Sequence, residues 1–116
     1  MEISQLTTMT GGWFVGAFTP TALTTDAAEV AVKSYAAGDS EPRHHHRVAT
    51  EATLILSGTA RFNDTSVGAG QIATIAPGES VAFTAVTDVV TVVVKVPSAP
   101  DDKYLGYGPH ETAPAS

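Results

Sequence analysis

The residues of this chain whose types and spacing are suited to chemistry are two histidines and a glutamate near its middle: His44, His46 and Glu51. Side chains alternate between the two faces of a β-strand, so the imidazoles of His44 and His46 are expected on one face and His45 on the other. Four residues then let the chain turn, so that Glu51 begins a neighbouring antiparallel strand opposite the pair. Two imidazole nitrogens and a carboxylate on a shared face are a suitable ligand set for Fe, Mn, Ni or Zn.

Each of these residues also has a simpler interpretation. His44 and His46 could be structural or surface histidines, and Glu51 could be only the ion-pair partner of Arg47. We favour a functional role, because paired histidines at this spacing seldom arise for packing alone. A carboxylate that opens an apolar strand is also costly to bury without a cation or hydrogen bonds. His45 is expected to face solvent or to support the site from behind.

The rest of the sequence predicts the strands that would carry this site. Short runs rich in Val, Ile, Thr and Phe are separated by turn residues, and they predict strands over residues 29–36, 52–56, 59–62, 71–75, 81–84 and 89–96. Many short strands in a short chain favour an antiparallel barrel or sandwich. The last strand is so apolar that we expect it at the centre of a sheet, since an edge would promote aggregation. Lys33 and Tyr35 share a face of the first strand, which we expect to be outward and solvated rather than part of the site.

The spacing around the histidines resembles the first conserved motif of the cupin superfamily. The fixed positions of that motif are all matched, by Gly38, His44, His46, Glu51 and Gly58. The resemblance covers about residues 30–96 and implies an all-β, cupin-type antiparallel β-barrel, also called a jelly roll or double-stranded β-helix. It further implies a ligand cavity inside the barrel and a homodimer. We therefore expect a single cupin domain over residues 1–116, with its core at about 28–97, an N-terminal arm at 1–27 and a C-terminal tail at 98–116.

The second cupin motif is matched only in part, by Gly70 and Gly78. Ala76 stands at its usual proline, and Val81 stands at its histidine. In cupins that bind a metal, this histidine is the fourth protein ligand, so the resemblance leaves His44, His46 and Glu51 as the predicted metal ligands. His110, Gln71 and Glu79 are candidates for a replacement ligand, and none of them is favoured by its spacing.

Three functions are compatible with these residues. The first is a metal-dependent enzyme, such as an oxygenase or isomerase, that acts on a small polar molecule with His44, His46 and Glu51 as metal ligands and catalytic residues. The second is a metal-free isomerase, epimerase or lyase for a sugar or nucleotide-sugar, with His44 or His46 as general base. The third is a non-catalytic module that binds a small ligand, since a fold does not determine a function. We favour the first.

Composition limits the partners and the location of the protein. Twelve acidic residues against six Lys and Arg give a formal charge of −6, and the basic residues form no cluster. Nucleic acid is therefore an unsuitable partner, because phosphate binding needs concentrated positive charge. No apolar run reaches the ~18–20 residues of a membrane span, and residues 1–14 lack the pattern of a signal peptide. We expect a soluble, cytoplasmic protein that binds neither nucleic acid nor a membrane.

Overall fold

The fold is known from a computed structural model, which describes residues 1–114 and is built almost wholly of β-strands. Two 3-10 turns, at Leu6–Thr8 and Thr10–Gly12, precede the first strand. In chain order the strands are β1 Trp13–Gly16, β2 Leu23–Thr24, β3 Glu29–Tyr35, β4 Ser40–His45, β5 Thr50–Ser57, β6 Thr59–Phe62, β7 Thr65–Gly68, β8 Ile72–Ile75, β9 Val81–Ala85, β10 Val89–Val96 and β11 Tyr104–Leu105. The strands expected from the sequence correspond to β3, β5, β6, β8, β9 and β10, with ends that differ by at most two residues.

The strands form two sheets that face each other as a jelly roll. The six-stranded sheet has the order β2-β1-β3-β10-β5-β8 and the five-stranded sheet the order β11-β4-β9-β6-β7. All pairings are antiparallel except that of β1 with β2. The all-β jelly roll is thus confirmed, although the sheets do not close into one continuous barrel within residues 1–114. Strand β10 lies between β3 and β5, so its predicted central position is also confirmed.

The core lies between the sheets and is built by the alternation of side chains along the strands. Ile55 and Val89 are fully buried there, because every second residue of β5 and β10 points inward. Phe83 stands at the middle of an aromatic group, with its ring centroid 4.7 Å from that of Tyr35 and 5.4 Å from that of Phe62. The packed core forms the apolar boundary of the space in which the candidate site lies.

The opposite, outer face of the six-stranded sheet is also apolar. The residues of its central strands that point away from the core are partly exposed, and most are aliphatic: Val30, Val32, Ala52, Leu54, Val90, Val92 and Val94. Such a face is suited to covering by another protein surface. The homodimer implied by the cupin resemblance stays a prediction, and this face is where we expect it to form.

Both terminal segments are attached to the sheets. The predicted N-terminal arm contributes β1 and β2, and β1 pairs with β3. The predicted tail packs back on the jelly roll through β11, whose Tyr104 and Leu105 pair with His45 and His44 of β4. The last two residues of that tail, 115–116, lie outside the described residues. None of the helical turns within residues 1–114 has the length or apolar character needed to cross a bilayer.

Candidate functional site

The two halves of the histidine motif lie in different sheets. Strand β4, which carries His44 and His45, belongs to the five-stranded sheet, whereas Glu51 is in β5 of the six-stranded sheet. The expectation that Glu51 begins the neighbouring antiparallel strand was therefore wrong. The four residues after His46 cross from one sheet to the other instead of forming a hairpin. Glu51 consequently approaches the histidines across the space between the sheets, and its strand partners are Ile75 and Lys95.

A cavity of about 380 Å³ occupies this space, and His44, His46 and Glu51 all line it. Nε2 of His46 lies 3.4 Å from Oε1 of Glu51. The rings of His44 and His46 stand edge to face with centroids 5.4 Å apart. The predicted alternation of the histidines is thus observed in the geometry. Apolar side chains also line the cavity: Phe62, Ile75, Val81, Phe83 and Val93.

Main-chain carbonyls fix the orientation of both imidazoles. Nδ1 of His44 lies 3.1 Å from the carbonyl oxygen of Pro42, and Nδ1 of His46 contacts that of Asp102. A carbonyl only accepts hydrogen bonds, so Nδ1 carries the proton in each ring. Nε2 of each ring is therefore the atom left for chemistry, and in His46 that atom faces Glu51.

The surroundings drive the two imidazole pKa values in opposite directions. The hydrogen bond to Glu51 raises the pKa of His46 above its ordinary value, against the effect of burial. Burial lowers the pKa of His44, and the nearby positive charge of Lys103 lowers it further. Burial opposes ionisation of Glu51, but hydrogen bonds from His46 and Thr53 outweigh it and hold the Glu51 pKa below its usual range. An imidazole that loses its proton more readily and one that holds its proton more firmly thus face the same cavity, which is the pattern of a base and an acid.

Lys33 and Tyr35 also line the cavity, so the expected outward face was wrong. The Tyr35 hydroxyl donates a hydrogen bond of 2.8 Å to Glu41, whose Oε1 lies 3.9 Å from the ammonium of Lys33. Burial, and then the Glu41 carboxylate, raise the pKa of Tyr35, which keeps the phenol protonated as a hydrogen-bond donor. Glu41, which was not among the predicted site residues, also lines the cavity. Strict alternation from His44 places it outward, but a register shift between Glu41 and His44 turns both side chains into the cavity.

His45 is buried beneath the C-terminal tail, so the expectation that it faces solvent was wrong. Its Nδ1 donates to the carbonyl oxygen of Gly106 at 3.0 Å, and its Nε2 accepts from Nε of Arg47 at 3.2 Å. The His45 ring stacks on the Tyr104 ring, and the Arg47 guanidinium lies over the Tyr104 ring. Arg47 is thereby engaged away from Glu51, which excludes the simple Arg47–Glu51 pair. The C-terminal tail thus covers His45.

Asp102 fastens this tail to the loop that follows the histidines. Its buried carboxylate accepts hydrogen bonds from the main-chain N–H groups of Arg47, Val48 and Ala49 at 2.8–3.2 Å. Burial opposes its ionisation, but these three donors outweigh burial and lower the Asp102 pKa. Since the Asp102 carbonyl also accepts from His46, this residue fixes the course of the loop and the ring it carries.

Two further positions of the cupin-like motifs, Gly58 and Val81, have structural explanations. Gly58 adopts a φ of +87°, and a Cβ there would lie 2.0 Å from the carbonyl oxygen of Asp88. Only glycine fits such a turn. Val81 pairs with His44 in the sheet register and lines the cavity, so an apolar wall stands where cupins that bind a metal have a fourth ligand. Of the candidate replacements, Glu79 lines the cavity, whereas Gln71 and His110 are not among its lining residues within the described chain.

The donors do not fit a complete metal site as they are placed. The free Nε2 atoms and the Glu51 carboxylate are suitable ligands by type. However, no group of three or more His, Asp or Glu side chains within residues 1–114 is arranged so that it could hold a metal ion. Metal binding by His44, His46 and Glu51 therefore stays a prediction.

Solved structures share this fold. A double-stranded β-helix protein from Klebsiella pneumoniae is 23% identical, with a TM-score of 0.66 over 72% of this chain and 73% of that one. The DMSP lyase DddQ from Ruegeria pomeroyi is 19% identical, with a TM-score of 0.69 over 85% of this chain. This chain spans only 52% of the DddQ chain. The Streptomyces nucleoside dehydratase Pac13 is 17% identical, with a TM-score of 0.59 over 72% of each chain.

The sequence comparisons were negative. No protein-family model matches the chain, and no curated protein does. At these levels of identity the structural likeness establishes the fold alone.

Proposed function

Because this chain has the double-stranded β-helix fold of the cupin superfamily, we propose that it is an enzyme that moves protons on a small polar molecule bound between its two sheets. The reaction class is an isomerisation or an elimination. The observation that carries the proposal is the pair of imidazoles, 5.4 Å apart, of which only one is paired with a carboxylate. The cavity volume of about 380 Å³ is near the lower end of the range of ligand sites, ~300–1,000 Å³.

His44 and His46 would take the two halves of the proton transfer. Nε2 of neutral His44 removes a proton from a carbon next to a carbonyl group, and protonated His46 donates its Nε2 proton to the carbonyl oxygen, which yields a neutral enol. Where the deprotonated carbon carries a hydroxyl group, this enol is an enediol; loss of the proton of that hydroxyl group and return of a proton to the former carbonyl carbon then complete an isomerisation. Where the next carbon beyond the deprotonated one carries a leaving group, its departure with the bonding electrons, together with loss of the enol proton, forms a carbon–carbon double bond beside the restored carbonyl and completes an elimination.

Glu51 and Tyr35, which both line the cavity from the six-stranded sheet, would support this exchange. The Glu51 carboxylate keeps His46 protonated until the proton is transferred to the substrate oxygen, because an imidazolium 3.4 Å from a buried carboxylate is stabilised relative to the neutral ring. The Tyr35 hydroxyl, now bound to Glu41 at 2.8 Å, can instead donate to a substrate oxygen. The apolar wall around Phe83 excludes water and strengthens these interactions.

Two of the structurally similar proteins are named for related reactions. DddQ is named a lyase and Pac13 a nucleoside dehydratase, and both names denote eliminations. These names support the choice of reaction class and do not identify the substrate of this chain.

Deuterium incorporation tests the proposal across a whole class of substrates at once. Small aldehydes, ketones and keto acids are incubated with the protein in D₂O, and exchange of the C–H next to the carbonyl is followed by ¹H NMR. We expect exchange with at least one compound class, and a loss of about 10²–10⁴-fold in the His44→Gln and His46→Gln variants. His110→Gln, a change outside the cavity, is the matched control and keeps the full rate. Equal rates in all four proteins would contradict the proposal.

A metal-dependent form of this activity is the second candidate, favoured by the orientation of the rings. In both histidines Nδ1 binds a carbonyl and leaves Nε2 directed elsewhere, which is the usual arrangement of metal-bound imidazoles. His44, His46 and Glu51 would have to converge from their present positions to hold the ion, which would supply a Lewis acid for the substrate oxygen. Loss of exchange after chelation, with recovery on adding one of Fe, Mn, Ni or Zn, would favour this candidate over the metal-free one.

A further inference from the structure

All three lysines of the chain line the cavity, although the protein is acidic overall. They are Lys33, Lys95 and Lys103. The three arginines are absent from the cavity lining within the described chain: Arg43 and Arg47 lie against Tyr107 and Tyr104, and Arg61 lies on the outside of β6. Although the chain has a formal charge of −6, the ammonium groups of all its lysines thus surround one small cavity. Glutamates line the same cavity, so its preference for an anion depends on which lysine has no ion-pair partner.

Two of the lysines are already neutralised by glutamates of the cavity. Lys95 lies 3.3 Å from Oε1 of Glu29, and Lys33 lies 3.9 Å from Oε1 of Glu41. Both ammonium groups also contact the ring of Trp13, at 4.7 Å and 5.5 Å from its centroid. These pairs therefore hold the cavity wall in place and leave little charge for a ligand.

Lys103 is different, because it forms no ion pair with any residue among 1–114. Its backbone is fixed on both sides, by the three main-chain N–H groups that donate to the Asp102 carboxylate and by the pairing of Tyr104 with His45. Its side chain is exposed and lines the same cavity as His44. A cation with no ion-pair partner among residues 1–114 thus lines this cavity on a stretch of main chain that is held at both ends.

We infer that Lys103 binds the carboxylate of a small monoanionic substrate and holds the attached carbon skeleton beside His44. This inference rests on the proposed function, since it names the substrate class of the same cavity. Four glutamates, Glu29, Glu41, Glu51 and Glu79, line the cavity with it. A dianion, such as a phosphate ester, would be repelled by these carboxylates and attracted by only one unpaired cation. A monoanion is therefore the better match. The apolar wall suits a short uncharged remainder.

Binding of matched acids and amides tests the inference. Acetate, lactate and pyruvate are each compared with the corresponding amide by ¹H–¹⁵N NMR titration of the full chain, with methyl phosphate as the dianionic probe. We expect at least one acid to bind at the cavity about fivefold or more tightly than its amide and than methyl phosphate, with an advantage that shrinks as salt is raised. Amides that bind as well as all three acids would overturn the inference, as would tighter binding of methyl phosphate.

Charge variants identify the residue responsible. Lys103→Met is expected to remove the preference for the acid, whereas Lys103→Arg keeps it. Arg61→Gln removes one positive charge outside the cavity and should leave the preference unchanged. A preference that survives in Lys103→Met, or falls equally in Arg61→Gln, would overturn the assignment to Lys103. Acid binding that depends on Lys103, without deuterium exchange of any compound, would support this inference while contradicting the proposed function.

Discussion

Replacing Glu51 by glutamine tests the charged pair at the centre of the site through protein stability. Glutamine keeps the volume of the side chain, and its amide oxygen can still accept the hydrogen bond that Thr53 donates at 2.9 Å. The change therefore removes chiefly the carboxylate charge that His46 meets at 3.4 Å. The two side chains are 7% and 15% exposed, so solvent screens the pair weakly. A hydrogen bond to a charged group is worth about 1.5–3 kcal/mol.

The pH dependence of this loss follows from the directions of the two pKa shifts. The raised pKa of His46 gives stability that is complete below the unfolded value of about 6.5 and is lost as pH rises through the folded value. The lowered pKa of Glu51 gives stability that is present above about 4.3 and is lost as pH falls through the folded value. The Glu51→Gln variant should thus be destabilised most between about pH 5 and pH 6.5, and least near pH 9.

Urea denaturation of the wild-type protein and of the Glu51→Gln variant from pH 5 to pH 9 measures the difference between their free energies of unfolding. With about 4 °C of melting temperature per kcal/mol for a domain of this size, thermal unfolding should show a drop of roughly 6–12 °C at pH 6. Glu79→Gln, at an exposed glutamate of the same cavity, is the matched control and should change stability by less than about 0.5 kcal/mol at every pH. A loss in Glu51→Gln that stays constant with pH, or that grows towards pH 9, would refute the reasoning.

Three further predictions concern the tail, the metal and the outer face. Asp102→Ala should cost about 2–4 kcal/mol in urea denaturation, because it leaves three loop N–H groups without their acceptor; a cost below about 0.5 kcal/mol would contradict the role of Asp102 in holding the loop. Val81→His adds an imidazole beside His44 and should raise Zn²⁺ affinity at least about tenfold in calorimetric titration; an unchanged affinity would mean that the donors do not converge. Val92→Lys places a charge on the apolar sheet face and should convert a dimer to a monomer in light scattering, whereas a wild-type monomer would show that this face forms no dimer.

Much of the fold could be predicted because it depends on local patterns. The apolar run that forms β10 correctly predicted a central strand, because a strand with so many valines would promote aggregation if one of its edges were unpaired. The side-chain alternation that separates His44 and His46 from His45 is a property of any extended strand, and it held in the structure.

Other features could not be predicted because they depend on pairings between distant segments. The connection between His46 and Glu51 has the length of a hairpin loop, and nothing local shows that it crosses between sheets. The shift that turns Glu41 inward exists only in the register of β4 with β9. His45 is covered by a strand about 60 residues later in the chain, at Tyr104. For these reasons Tyr35 was expected on the wrong face, Glu41 was not predicted as a site residue, and the burial of His45 beneath the tail was not foreseen.

The proposed proton transfer depends most on a difference in pKa between two neighbouring imidazoles, those of His44 and His46. Ring titration by ¹H–¹⁵N NMR, with resonances assigned by the His44→Gln and His46→Gln variants, measures this directly. The account predicts that His44 has the lower pKa and His46 the higher one, and that Glu51→Gln lowers the pKa of His46. Coincident titration of the two rings, or the reverse order, would contradict the assignment of base and acid.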